Sequence, residues 1–349
     1  MNNAPFIKEV ASKDLLKATE GFETEKQNRL VIEREVLPIV FVPGIMGSRL
    51  GRTQKDKVWD PDSAWFMFTT YGRRKTNAEA KKAQLIGREF NQGHLQVLND
   101  DAEHKAVFAN EIDTTRGECG WGGVSWNSYG EILKALQERE WDQSFNLFYE
   151  LPVHAFGYNW TASNGMAGEQ LAAYIEQVVK GYTDGGRKCT KVLLVTHSMG
   201  GLVARSACLL HGAKDNVLGV IHDVQPANGS PAAYWRMKGG FERPHTIPNL
   251  DFIQWFRNPV KMFNHLQGKL VNNEILGVGH IAAWVLGTDG EEVTALLGNM
   301  PGGLELLPNK QYKNNNGWER LLELLDSAGN MAALPKINPY EEIYRSDKD

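Results

Sequence analysis

The chain has 349 residues, is 42% hydrophobic and 23% charged, and carries a formal net charge of −4. That is enough apolar material for a sizeable core in one or two domains, and it excludes wholesale disorder. The mildly acidic balance lacks the basic excess of a nucleic-acid binder, so no nucleic-acid partner is expected, and purely electrostatic attachment to anionic membranes is disfavoured.

Three cysteines, Cys119, Cys189 and Cys208, are too few and too irregularly spaced for a disulfide framework, and none forms a CxxC pair. They read as reduced structural residues, with neither metal nor cofactor expected. Residues 1–30 are polar and of mixed charge, and read as a tail or leading helix. They lack the apolar centre of a secretory signal, and no stretch reaches the roughly 18 uncharged apolar residues of a membrane span. The expectation is a protein cytoplasmic as synthesised, whose export, if it occurs, does not use a cleavable N-terminal signal.

The remainder, 31–349, reads as one large domain and opens with Leu37 to Val42, an apolar run ended by Pro43-Gly44. A run this short and β-branched predicts a strand buried on both faces. Residues 51–118 are polar with basic clusters and predict a surface insertion anchored by Trp59, Trp65, Phe66 and Phe68. A helix is predicted over 129–140, a strand over 149–156 and a helix over 167–182. Strand 191–196, helix 199–212 and strand 217–224 follow. This alternation predicts parallel βαβ units, hence an α/β, doubly wound, mainly parallel sheet. From 227 to about 300 the pattern loosens into an aromatic-rich stretch that predicts a helical cap.

Chemistry enters at Thr196-His197-Ser198-Met199-Gly200-Gly201, between a buried strand and an apolar helix. A nucleophile elbow needs this context: a sharp strand-to-helix turn that presents a serine, with small residues where backbones approach. Ser198 is therefore the candidate nucleophile. Thr196 stands where such elbows usually carry glycine. His197 is not assigned as base, because neighbouring side chains diverge at such a turn. The second element is Val42-Pro43-Gly44-Ile45-Met46-Gly47-Ser48. Acyl transfer needs two N–H donors for the tetrahedral oxyanion; Met199, after the nucleophile, and Ile45, in this early loop, are the candidates. A structural serine in a tight turn and an ordinary Pro-Gly turn are the bland alternatives.

The segments PIVFVPGIMGSRL and THSMGGLVAR resemble the lecithin:cholesterol acyltransferase-like lipases and the PGAP1-type esterases. RGECGWGGVSWNSYGEIL, VIHDVQPANGSPAAYWRMKGGFE and LGNMPGGLELLPNKQY resemble bacterial lipase effectors of the type VI secretion kind. The resemblance implies an α/β-hydrolase fold, hydrolysis of lipid esters, often phospholipids, and a Ser–Asp–His triad. It further implies a lipid or ester substrate, transient contact with a membrane surface, and an immunity protein or secretion apparatus as partner.

The chain departs from that pattern in its second half. The acid and base should follow Ser198 in the order Asp, His, yet no histidine follows His280. This suggests a chain truncated within the C-terminal part of the hydrolase domain. Within the chain, Asp223 at the end of the fourth strand is the candidate acid, with Asp251 a weaker one, and His280 is the base by elimination. Trp59-Asp60-Pro61-Asp62 reads as a solvated turn or, less readily, a cation site. Tyr158-Asn159-Trp160 reads equally as acyl-pocket lining or core. The reading is a serine lipase or phospholipase; an acyltransferase of the same fold and a non-catalytic hydrolase-like interaction module are the alternatives.

Overall fold

The computed structural model describes residues 6–11, 28–71, 78–87, 95–99, 119–241, 282 and 285–314. The expected N-terminal tail or helix is instead partly strand: β1 (Phe6–Ala11) pairs in parallel with β2 (Asn28–Glu33). Phe6, Ile7 and Val10 on β1, and Leu30, Val31 and Ile32 on β2, are mostly of the aromatic and β-branched types that favour a strand over a helix, and the register sets Val10 opposite Ile32.

After β3 (Glu35–Val36), β4 (Ile39–Val42) becomes the middle of the molecule. Every β4 residue is buried because the two faces of the strand enter two different cores. Val40 and Val42 point into the larger core, Ile39 and Phe41 into a smaller one built on Trp121, Trp126 and Leu133. A strand buried on both sides is the signature of a sheet sandwiched between helical layers.

The insertion is not a surface feature throughout. β5 (Leu50–Thr53) pairs with β6 (Asp56–Trp59), and α1 (Ala64–Tyr71) and α2 (Ala78–Leu85) follow. Leu50, Val58, Trp59, Met67, Tyr71 and Leu85 are buried in the larger core. Trp59 is fully buried and Phe66 packs on that core; Trp65 and Phe68 have side chains outside the described set. Polar composition misled here because the apolar residues are spaced singly among charges rather than in stripes. The short β7 (Gln96–Val97) completes this small antiparallel sheet against β5.

Helix α3 (Trp126–Gln137) starts three residues before the predicted point, and α4 (Gln143–Phe148) follows. The predicted strand over 149–156 is split at Leu151-Pro152. Tyr149–Glu150 (β8) pairs with β3, and Val153–Ala155 (β9) pairs with β4. Pro152 has no N–H to give to a ladder, and its carbonyl accepts from the Ile39 N–H at 2.9 Å at the junction. Helix α5 (Asn164–Asp184), capped by the Ser163 hydroxyl on the Met166 N–H, leads to β10 (Val192–His197), α6 (Gly200–Leu210) and β11 (Val217–Asp223).

The central sheet has the order β11-β10-β4-β9, all parallel. α5 and α6 pack through Leu171, Ile175, Val203 and Ala207 into the same core as Val192 and Leu194. This is the expected α/β architecture, with the register bringing Thr196 opposite Val42 and His197 opposite Asp223. The carboxyl ends of three adjacent strands therefore meet at one edge, where open parallel sheets place their ligand sites. Beyond β11 the chain makes α7 (Pro231–Gly239), α8 (Gly290–Leu297), α9 (Pro301–Leu304) and α10 (Lys310–Asn314). These are the described parts of the expected cap and of the segment after it; Asp251, His280 and the aromatic residues from Phe252 to Trp284 lie outside the described residues. Among the described residues no helix is long and apolar enough to cross a membrane.

Candidate active site

Ser198 occupies the turn between β10 and α6 with φ 51°, a left-handed conformation that a non-glycine residue rarely holds. Its N–H donates to the Asp223 carbonyl at 2.9 Å, which pins the turn to the end of β11. The glycine two positions on is dictated by contact: a Cβ on Gly200 would lie 2.4 Å from the Val42 carbonyl oxygen and 2.5 Å from that of Pro43. The helix thus begins directly against the backbone of the early loop. Thr196, in place of the usual glycine, fits because its hydroxyl turns toward β11, where it lies 2.9 Å from His222 Nδ1 and 3.3 Å from the Ile221 carbonyl.

The early loop folds as a turn closed by the Gly47 N–H on the Gly44 carbonyl at 3.1 Å, with Met46 at φ 63°. Gly44 faces the Ser198 turn: a Cβ there would stand 3.1 Å from Ser198 Cβ and 3.0 Å from His197 Nδ1. Among the described residues no group accepts from the N–H of Ile45 or of Met199. Both predicted oxyanion donors are thus unengaged among the described residues, one on each side of the closely apposed Gly44 and Ser198. The three non-glycine residues with positive φ among the described residues are Met46, Ser198 and Val224. All three stand at this one edge of the sheet, and Val224 is β-branched, for which that conformation is a marked outlier.

What holds the loop was not read from the sequence. The Trp59 indole N–H donates to the Met46 carbonyl at 2.9 Å. Asp60 takes both arms of the Arg49 guanidinium, at 2.9 and 3.0 Å, with Lys57 at 3.1 Å. Burial pushes the Asp60 carboxyl up, but these two cations outweigh it and hold it below the usual carboxylate range. Asp62 accepts from the Trp126 and Asn127 N–H groups and from the Ser125 hydroxyl, and so caps α3 with a carboxylate where the helix dipole favours one. The Trp-Asp-Pro-Asp segment is therefore neither a solvated turn nor a cation site, since both carboxylates are already engaged. Tyr158, 1% exposed, donates to the Pro43 carbonyl at 2.9 Å, and its own N–H donates to the Ser48 hydroxyl. It supports the loop from below, while Trp160 is buried edge-on against Trp59. The signal available for all of this was only that a polar segment contained large aromatics; the contacts span 3 to 115 residues of sequence.

His197 is turned away from catalytic work on its neighbour: its Nδ1 lies 3.0 Å from the Tyr129 hydroxyl, and the two rings meet edge to face. Asp223 is exposed at the end of β11, near enough for its carboxylate to add to the burial that raises the Tyr129 pKa. Its partner His280 lies outside the described residues. His222 and His211 are the other described histidines after Ser198, and His222 is engaged with Thr196. The described residues contain no group of three or more His, Cys, Asp or Glu arranged to hold a metal.

A strained serine between a parallel strand and a helix, at the carboxyl edge of a doubly wound sheet, defines an α/β-hydrolase architecture. In agreement, residues 83–242 match the family model described as the PGAP1-like alpha/beta domain. The chain is also similar to a chain in the crystal structure of the Tle4–Tli4 complex, at 27% identity and a TM-score of 0.56, covering 80% of this chain and 56% of that one. It thus spans little more than half the length of that relative. Weaker overlaps occur with the Bacillus licheniformis lipase BlEst2. The mature form gives 17% identity, a TM-score of 0.27 and coverage of 77% and 62%. The propeptide form gives 20%, 0.25, and 58% and 25%. Those overlaps are too loose to bear on the site. No curated protein matches the chain.

Proposed function

We propose that this protein is a serine esterase that cleaves lipid ester bonds through an acyl-enzyme on Ser198. The observation that carries the reading is the strained Ser198 turn against Gly44, flanked by the Ile45 and Met199 N–H groups, which have no acceptor among the described residues. Backbone strain of this kind persists where the surroundings over-determine it, and it clusters at active sites. In the proposed reaction the Ser198 oxygen attacks the ester carbonyl carbon. His280 takes the serine proton and Asp223 orients the imidazolium. The two N–H groups hold the oxyanion, and the leaving alcohol departs with the proton. Water then attacks the acyl-enzyme by the same steps in reverse order.

A lipid substrate is supported by the family resemblance and by apolar exposure beside the site, where Val224 is 68% exposed. The similarity to a chain crystallised in the Tle4–Tli4 complex, together with the resemblance to secreted lipase effectors, supports a further proposal, that this protein is an exported effector held by a dedicated immunity partner. The test is labelling with a fluorophosphonate probe followed by release of fatty acid from phospholipid vesicles. Labelling should occur at Ser198 and vanish in Ser198→Ala, and fatty acid release should vanish with it. Folded protein that does not label would end the esterase reading for this chain.

A further inference from the structure

Tyr129 touches both the oxyanion loop and the Ser198 turn, and the proposed reaction leaves it without a role. It sits on the first turns of α3, inside the smaller core, with its ring 5.1 Å from Phe41 between centroids. Its hydroxyl reaches through to the other side of the site. There it accepts from the Gly44 N–H at 3.1 Å, in a buried bond spanning 85 residues. The same oxygen lies 3.0 Å from His197 Nδ1. With its lone pair facing Gly44, the hydroxyl has its one hydrogen free to donate to Nδ1, which fits neutral His197 protonated on Nε2. One phenol thus ties together the residue before the oxyanion donor and the residue before the nucleophile.

The consequence is geometric. Gly44 N–H is spoken for, so the loop's contribution to the oxyanion passes to the next N–H, that of Ile45, whose direction is set by the Gly44 peptide. The ring also leaves the loop no slack, since a Cβ on Gly47 would lie 2.7 Å from Tyr129 Cε2. Burial raises the Tyr129 pKa, with the Asp223 carboxylate adding to it, so the group stays a phenol and keeps its hydrogen. The phenol is itself aimed by Asp62, which caps the start of α3 through the Trp126 and Asn127 N–H groups.

We infer that Tyr129 is a positioning residue of the ester-cleaving site: its hydroxyl fixes Gly44 and His197 together, and so presets the distance between the oxyanion loop and the Ser198 turn. This rests on the esterase reading above. Donors that are preset contribute to the transition state far more than to the bound ester, so the effect belongs in kcat.

The test is Tyr129→Phe, which removes one oxygen and keeps the ring on Phe41. With a short-chain p-nitrophenyl ester, kcat should fall on the order of tenfold while KM stays within about twofold, less than the hundredfold of deleting a donor outright. Affinity for an alkylboronic acid, whose adduct with Ser198 carries the tetrahedral oxygen, should fall in parallel. Amide exchange of peptides covering 43–47 should quicken while the thermal midpoint moves little. Unchanged kcat and boronate affinity in a folded variant would overturn the role. A fall in kcat with a rise in KM and a collapsed thermal midpoint would overturn it too, as mere structural loss. Failure of the unmutated protein to label with fluorophosphonate is a different result: it removes the esterase reading, and the role of Tyr129 falls with it.

Discussion

At the scale of single residues, the site is shaped as much by missing side chains as by those present. Gly44 and Gly200 lie on opposite sides of the contact between the early loop and the elbow, and they should respond differently to alanine. At Gly200 the new methyl would meet two backbone carbonyl oxygens at 2.4 and 2.5 Å. Neither can rotate aside, so α6 must lift off the loop, and we expect a stability loss of about 2–3 kcal/mol with loss of activity. At Gly44 the new methyl meets the Ser198 Cβ at 3.1 Å and His197 Nδ1 at 3.0 Å, contacts that small shifts relieve. Gly44→Ala should therefore fold with a loss below about 1 kcal/mol, yet, on the proposed reaction, label with fluorophosphonate at least about tenfold more slowly, because the shift falls on Ser198 and the loop. Chemical denaturation and labelling kinetics on both variants give the comparison. Equal stability losses at the two sites would contradict the contact geometry. Ser198 itself was legible because everything that makes an elbow is local: an apolar strand, a serine, a glycine two residues later. Tyr129 was not, because its role depends on Gly44, 85 residues away, and on a helix whose start is fixed by Asp62.

At the scale of elements, β9 and α5 are joined by a polar contact inside an apolar layer. His154 on β9 is 8% exposed, with Nε2 at 2.9 Å from the Tyr182 hydroxyl and Nδ1 at 3.5 Å from that of Tyr174, both tyrosines on α5. Burial lowers its pKa to about 4, and burial raises both phenols as well. The folded pKa lies below the unfolded value of about 6.5, so the unfolded chain binds the extra proton first. The contribution of neutral His154 is thus complete above about pH 6.5 and is lost progressively as pH falls toward about 4, at no more than about 1.4 kcal/mol per unit. His154→Gln, which leaves Tyr182 a polar partner, should remove this part of the slope whatever it does to stability at neutral pH. Urea denaturation at several pH values between 4 and 7 measures it, and an unaltered slope would show that His154 titrates as it does in water. The same pairing explains a sequence feature read only as strand: the histidine in YELPVHAF is at a buried register position opposite Val40, where a lone polar residue must find partners across the layer.

At the scale of the whole molecule, the α/β order was legible because strand and helix periods alternate plainly from residue 149 to 224, and four strands fell where the apolar runs are. The insertion was misjudged because its apolar residues reach the core one at a time, each relying on partners distant in sequence. One such link joins the insertion to the later part of the expected cap. Lys81 on α2, with a side chain 6% exposed, forms an ion pair with Glu292 near the start of α8. Glu292 is placed by the Asp289 cap, whose carboxylate accepts the Glu292 N–H at 2.8 Å, and its side chain crowds the position where a Cβ on Gly287 would stand. A buried cation that loses its carboxylate keeps the whole desolvation penalty, whereas replacing both partners by apolar groups removes the penalty along with the attraction. Glu292→Leu alone should therefore destabilise by about 3 kcal/mol, Lys81→Met alone by less, because Glu292 is 24% exposed and can turn to water. The double variant should be more stable than Glu292→Leu, with a coupling of about 1–2 kcal/mol between the two positions. If the losses add instead, the pair does not tie α2 to α8. If they couple, unfolding of the insertion and of the segment around α8 should share one transition, since 211 residues of sequence are then closed by a contact both halves need.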